Sequence, residues 1–173
     1  MTEKQQSIVN SALKLFADKG FDAVPTSAIA KDAGVSEGLI FRHFQNKVGL
    51  LNAIMQMGKE KIADNVSEIL ALNTPEARVT AIMEIPFYIA EEDYPFWKLV
   101  YSLKWQNDYY DDEMSKPMKD ILISALVEMK YIDAESEADL ILSYLDGFAT
   151  TILLKGEVVD KNKLLQTLRK KYK

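Results

Sequence analysis

The stretch 26–47, TSAIAKDAGVSEGLIFRHFQNK, constrains the fold of this chain more than any other. Its spacing predicts a short helix, a tight turn and a second short helix. Ile29, Ala30 and Ala33 recur at helical intervals, and Gly34 stands where a helix must end on a residue at positive φ. Thr26, following Pro25, is expected to cap the first helix, and Ser36 the second. Val35 is apolar enough to fill the angle between them. In the second helix Ile40 and Phe44 lie four apart and point inward. Glu37, Gly38, Phe41 and Arg42 fall on another arc, with Leu39 and His43 beside them. Two small helices, a Gly-containing turn and a polar outward face form a helix-turn-helix pattern, which suits the major groove of DNA.

Read as T-x-x-I-A-x-x-A-G-V-S-x-G-x-I-F-x-H-F-x-N-K and followed by Gly49, Leu50 and Leu51, this stretch resembles the DNA-binding signature of the TetR family of bacterial regulators. The resemblance covers the first quarter of the chain. Beyond Lys61 only the length and the helical pattern fit. It implies phosphate contacts from Thr26, Ser36, His43 and Lys47. The first two sit at helix N-termini, where hydroxyls and free backbone N–H groups meet anions. Base edges fall to Glu37, Gly38, Leu39 and Arg42: Arg42 suits guanine, Glu37 accepts from cytosine N4, and Leu39 touches a thymine methyl. Gly38 lets the helix backbone approach the groove floor. The family usually carries tyrosine where this chain has Phe41, which keeps the ring for van der Waals contact and loses the hydroxyl's bond to phosphate.

Charge is consistent with contact at one end. The chain has a net charge of −5, yet residues 1–47 hold six basic and five acidic groups, leaving the acidity to the remainder. A length of 173 residues supports one good core or two small ones, and 48% hydrophobic content excludes wholesale disorder. Cysteine is absent, which removes disulfides, thiolate metal sites and cysteine nucleophiles. The first residues, MTEKQQS, lack the layout of a signal peptide, and the apolar tract 140–154 contains Asp146 and is too short to span a bilayer. A cytoplasmic protein without membrane partners is expected.

Taken in order, the chain reads as all-α. A first helix is expected over 2–19, with Thr2 and Gln5 at capping-box spacing and Ile8, Val9, Ala12, Leu15 and Phe16 as its buried stripe. Asn46 is expected to cap a fourth helix reaching Leu72. Thr74 and Pro75 open a helix that contains Pro86, Pro95 opens another to Trp105, and 107–115 is the most loop-like segment. Helices follow over 117–130 and 134–155, the latter capped by Asp133 and ended by Gly156, and a last one from Asp160 carries Leu164, Leu165, Leu168 and Tyr172. This organisation gives a helix-turn-helix DNA-binding domain over 1–47, with helix four leading on, and a helical ligand-binding and dimerisation domain over 48–173.

Catalytic constellations are poorly represented. His43 is the one histidine and lies on the outer face of a small helix, so a Ser-His-Asp arrangement or a multi-histidine zinc site has no foundation. Acidic runs at Glu91, Glu92, Asp93 and at Asp111, Asp112, Glu113 read as solvated loops, and no glycine-rich phosphate loop occurs. No enzyme activity, metal or cofactor is expected. Aromatic residues instead crowd the middle of the chain. Phe87, Tyr88, Trp97, Tyr101 and Trp105, the last three spaced by four, suit a pocket for a small hydrophobic or aromatic ligand, and Glu84 suits a cationic group on it. The helices over 117–130 and 134–155 carry more apolar surface than one face buries, and Gly147 and Ala149 permit close helix approach. Pairing with a second copy gives a homodimer through a four-helix interface, as is usual in the family the chain resembles. Arg169, Lys170 and Lys171 are assigned to the dipole of the last helix. The expectation is a homodimeric transcription regulator, a repressor on a pseudo-palindromic double-stranded operator, released by that ligand. The alternative is a ligand-independent or architectural DNA-binding protein whose C-terminal part only dimerises or recruits a partner.

Overall fold

The computed structural model describes residues 1–104, 114–155 and 159–171, with the side chain of Lys171 left aside. Trp105, Tyr109, Tyr110, Asp111, Asp112, Glu113, Gly156 and Tyr172 lie outside the described residues. In chain order the helices are α1 (Glu3–Lys19), α2 (Thr26–Ala33), α3 (Glu37–Phe44), α4 (Lys47–Leu70), α5 (Pro75–Tyr88), α6 (Tyr94–Lys104), α7 (Lys116–Glu128), α8 (Ala134–Lys155) and α9 (Lys161–Lys171). A 3₁₀ turn, Glu91–Asp93, precedes α6, and no strand occurs among the described residues.

Most helix starts follow from local side-chain chemistry. Thr2 and Gln5 form the reciprocal capping box of α1. Asn46 Oδ1 accepts from Gly49 N at 2.8 Å, Thr74 Oγ1 from Ala77 N at 3.2 Å, Asp133 Oδ1 from Ser136 N at 3.0 Å and Asp160 Oδ1 from Lys163 N at 3.0 Å. Two expected caps differ. Pro25 occupies the N-cap position of α2, so Thr26 is its first helical residue, and its hydroxyl is directed elsewhere. Ser36 does take the N-cap position of α3, without a side-chain capping bond.

The chain divides into two compact units. The first holds Met1–Ile62 and the described part of Glu92–Tyr110. Its core is built on α1, whose Ile8, Val9, Ala12 and Phe16 are buried against α2 on one side and α6 on another. The Phe16 and Phe21 rings meet edge to face at 5.1 Å. Helix α6 contributes Phe96, Leu99, Val100 and Leu103, all buried. Phe96 lies directly on Gly58 of α4, where a Cβ would overlap the ring. Close approach, rather than backbone freedom, is therefore what Gly58 supplies. Lys61 and Asp93 form an ion pair beside it.

The second unit holds Ala63–Glu91 and the described part of Asp111–Lys173. Helix α5 packs on α7, α8 and α9, and α7 packs on α8. Ile82, Leu122, Ala125, Leu126, Ala138 and Ile141 fill the centre, and Phe87 stacks at a tilt on Phe148 with centroids 5.3 Å apart. On α8, Ala149 is buried, whereas Gly147 is exposed, so of these two only Gly147 sits on the outward face. Burial of this apolar area is the main stabilising term in each unit.

Gly58→Ala gains helix propensity but forces the Phe96 ring aside, and overpacking of a closed core costs about 1–3 kcal/mol. Urea melts of Gly58→Ala should show a loss in that range, partly restored by adding Phe96→Leu. Unchanged stability of the single variant would contradict the packing.

Candidate nucleic-acid interface

Helix α2 ends at Gly34 (φ 67°, ψ 33°), a left-handed conformation that costs most side chains energy and glycine almost none. Val35, half-buried, follows in the turn, and α3 begins at Glu37. On α3, Ile40 and Phe44 are buried, as their spacing predicts, while Glu37, Gly38, Phe41 and Arg42 are exposed and Leu39 and His43 are intermediate. Phe41 is 46% exposed, a large apolar side chain on the outward face of α3.

Several of these side chains are already engaged. The Thr26 hydroxyl donates to Glu37 Oε1 at 2.6 Å, which holds the carboxylate at the favourable N-terminal end of α3. His43 Nδ1 lies 3.3 Å from Gln5 Nε2, tying α3 to α1. Lys47 donates from Nζ to the carbonyls of Phe21 (3.0 Å) and Asp22 (3.2 Å) and sits 4.5 Å above the Phe21 ring. Its ammonium thus closes the loop between α1 and α2 onto the start of α4. The sequence motif signals none of these three pairings, because each joins residues that lie far apart along the chain.

Between α3 and α4 the chain reverses within one residue. Gln45 has φ 68° and ψ −49°, and Asn46 N donates to Phe44 O at 2.8 Å, the bond of a strained γ-turn. Asn46 then caps α4, and Gly49 passes so close to the Phe44 carbonyl that a Cβ there would overlap it. Phe44, Asn46, Lys47 and Gly49 are therefore one mechanical unit that fixes the direction of α3.

The residues singled out for a ligand are distributed differently. Trp97 and Tyr101 lie on α6 in the first unit, half-buried on the face away from its buried stripe, and Trp97 packs on Phe96. Glu84, Phe87 and Tyr88 lie on α5 in the second unit. Phe87 joins the core and Tyr88 is exposed. Glu84 is buried, and its cation comes from the chain itself. Arg169 donates through Nε to Oε1 (2.6 Å) and through Nη2 to Oε2 (2.7 Å), with Tyr88 Oη accepting at 2.9 Å. The Glu84 hydrogen bond raises the Arg169 pKa above its ordinary value. Arg169 therefore reaches α5 rather than serving the dipole of its own helix. Glu84 and Arg169 also border a half-open cleft of about 820 Å³ lined by Leu72, Val79, Met83, Met129 and Leu168, among others. Among the described residues no group of three or more metal-ligating side chains occurs, and no helix is long and apolar enough to cross a membrane.

Residues 8–54 match the family model described as bacterial regulatory proteins, tetR family. The chain is 34% identical over 103 residues to the transcriptional regulator BetI of Rhizobium meliloti, covering 57% of this chain and 51% of that protein. It is 29% identical over 108 residues to the transcriptional activator FasR of Mycolicibacterium smegmatis, covering 62% and 48%. The chain thus spans about half the length of these curated relatives, which are transcription regulators rather than enzymes. Its fold is shared with the fatty acid degradation regulator FadR of Bacillus halodurans (TM-score 0.79, 20% identity, 99% of this chain and 95% of that one). It is shared equally with AibR, solved with isovaleryl coenzyme A and operator DNA (TM-score 0.79, 19% identity, 96% of each chain).

Gly49→Ala should lower stability in urea by about 1–3 kcal/mol, because a backbone carbonyl stands in the way of the new methyl. Val48→Ala, at an exposed neighbour, should stay within about 0.5 kcal/mol. Equal melts for the two variants would show that the α3–α4 junction is not closely packed.

Proposed function

We propose that this chain, a member of the TetR family of bacterial regulatory proteins through its residues 8–54, is a homodimeric, sequence-specific DNA-binding transcription regulator. The observation that carries this reading is the outward face of α3, which leaves Glu37, Gly38, Phe41 and Arg42 exposed while Ile40 and Phe44 anchor the helix beneath. Residues 1–47 read DNA, and 48–173 carry the dimer and ligand functions. Arg42, Leu39 and Glu37 meet base edges, with Gly38 allowing close approach. Thr26, Ser36, His43 and Lys47 meet phosphates, the Thr26 hydroxyl turning from Glu37 to do so, and Phe41 packs on sugar or a thymine methyl.

Dimerisation is supported by the exposed side of α8. Leu140, Tyr144, Gly147, Thr151 and Leu154 follow one another at alternating steps of four and three, the period of a helix seam, and Leu140 and Leu154 are 47% and 73% exposed. Exposed Val127 on α7 extends the same apolar character. A second copy related by a two-fold axis covers such a surface and places two α3 helices on successive major grooves of a pseudo-palindrome. The protein is cytoplasmic and acts as a repressor whose release is driven by a small hydrophobic ligand. The solved neighbours include proteins crystallised with stearoyl-CoA and with choline, which supports ligand response without fixing the ligand. Shifting a regulator from almost all bound to almost all free requires about 5.5 kcal/mol of differential ligand affinity.

Lys47→Ala should weaken binding to all sequences alike and flatten the salt dependence by about one unit, whereas Arg42→Ala should relax preference at one base pair per half-site. Equal losses on every sequence for Arg42→Ala would refute its role as a base reader. In sedimentation equilibrium, Leu140→Lys should move the protein toward monomer and weaken operator binding in parallel. A variant that stays dimeric would place the interface elsewhere.

A further inference from the structure

The cleft beside α5 carries a charge arrangement that selects its occupant. Its apolar wall, formed by Leu72, Val79, Met83, Met129 and Leu168, suits a hydrocarbon body. Its charged groups are two carboxylates, Glu76 and Glu84, and one guanidinium, Arg169. The two partners of the ion pair are unequal in solvent contact: the Glu84 side chain is 10% exposed and that of Arg169 is 50% exposed. Nε and Nη2 of Arg169 hold Glu84 and Tyr88, so an anionic ligand could reach only Nη1, beside two carboxylates, and drawing the whole guanidinium away would leave a buried carboxylate unpaired, the costly outcome for such a group. A cationic ligand leaves Glu84 paired throughout, because one cation replaces another and the half-exposed guanidinium moves into water. Glu76 forms no ion pair among the described residues, so the lining keeps a net negative charge even with Arg169 in place.

We propose that this cleft binds an amphiphilic cation, an ammonium or guanidinium on an apolar chain, which takes Glu84 from Arg169 and so unlatches α9 from α5. Arg169 and Leu168 are adjacent on α9. The first holds α5 through Glu84 and Tyr88, and the second is buried at the cleft wall. A ligand whose head replaces the former and whose tail displaces the latter removes both attachments together. The cleft gives the proposed regulator a ligand class. It rests on the DNA-binding reading only for its consequence at the operator, not for binding itself.

The test is calorimetric titration of the full chain with octylguanidinium below its micellar concentration, with octanoate as the anionic comparator. One octylguanidinium should bind per chain, at least tenfold more tightly than octanoate. Glu84→Gln should weaken it at least tenfold, and Arg169→Gln should tighten it at least threefold, because the internal competitor is gone. A pair that only braces the fold would give the opposite sign for Arg169→Gln. Should a variant fail to fold, hydrogen exchange on the unmodified protein decides: octylguanidinium should speed exchange of the α9 amides severalfold, and slower or unchanged exchange overturns the proposal. Octanoate binding as tightly as octylguanidinium also overturns it. Calorimetric success without any effect on DNA binding would leave the cleft assigned and count against the regulatory reading alone.

Discussion

What the first unit presents outward depends on the reversal between α3 and α4. A strained γ-turn at Gln45, the Asn46 cap and the close passage of Gly49 under the Phe44 carbonyl leave α3 one direction to take. Lys47 continues the same junction into the loop after α1 by bonding two of its carbonyls. A motif residue such as Lys47 therefore has a structural duty alongside any contact with phosphate. Its side chain has three donors, and two are used within the chain.

Helix α6 is part of this same unit. It packs along α1, and its Phe96 meets Gly58 of α4, so α1, α4 and α6 form the packed base on which α2 and α3 stand. Small residues at such a contact make the packing sensitive to sub-ångström shifts, since a close-packed interior transmits displacement instead of absorbing it. In the second unit the comparable fixed point is the ion pair of Glu84 with Arg169. It joins residues from α5 and α9 where hydrophobic packing alone would leave a buried carboxylate uncompensated.

Features set by neighbours in sequence were legible before the structure was known. The positive φ at Gly34, the caps at Thr2, Asn46, Thr74 and Asp133, and the inward pair Ile40 and Phe44 all follow from residue type and spacing over a few positions. Features set by distant partners were not. Thr26 is a plausible cap by type, yet Pro25 holds that position and the hydroxyl finds Glu37. Arg169 near the end of a helix suggests a dipole role, yet a buried carboxylate 85 residues away binds it. Gly58 within α4 was the available signal for a close helix contact, and Phe96, Leu99, Val100 and Leu103 were the signal for what makes it. Trp97 and Tyr101 share a face of α6 as their spacing requires, but it is not the face that carries the core.

Selection of bound fragments from random double-stranded DNA by the full chain tests the central claim most directly. A dimer with α3 as its reading helix predicts enrichment of an inverted repeat whose half-sites lie about 10 base pairs, or a multiple of that, apart. Recovery of unrelated sequences bound with equal affinity, or of a single site with no repeat, would contradict it.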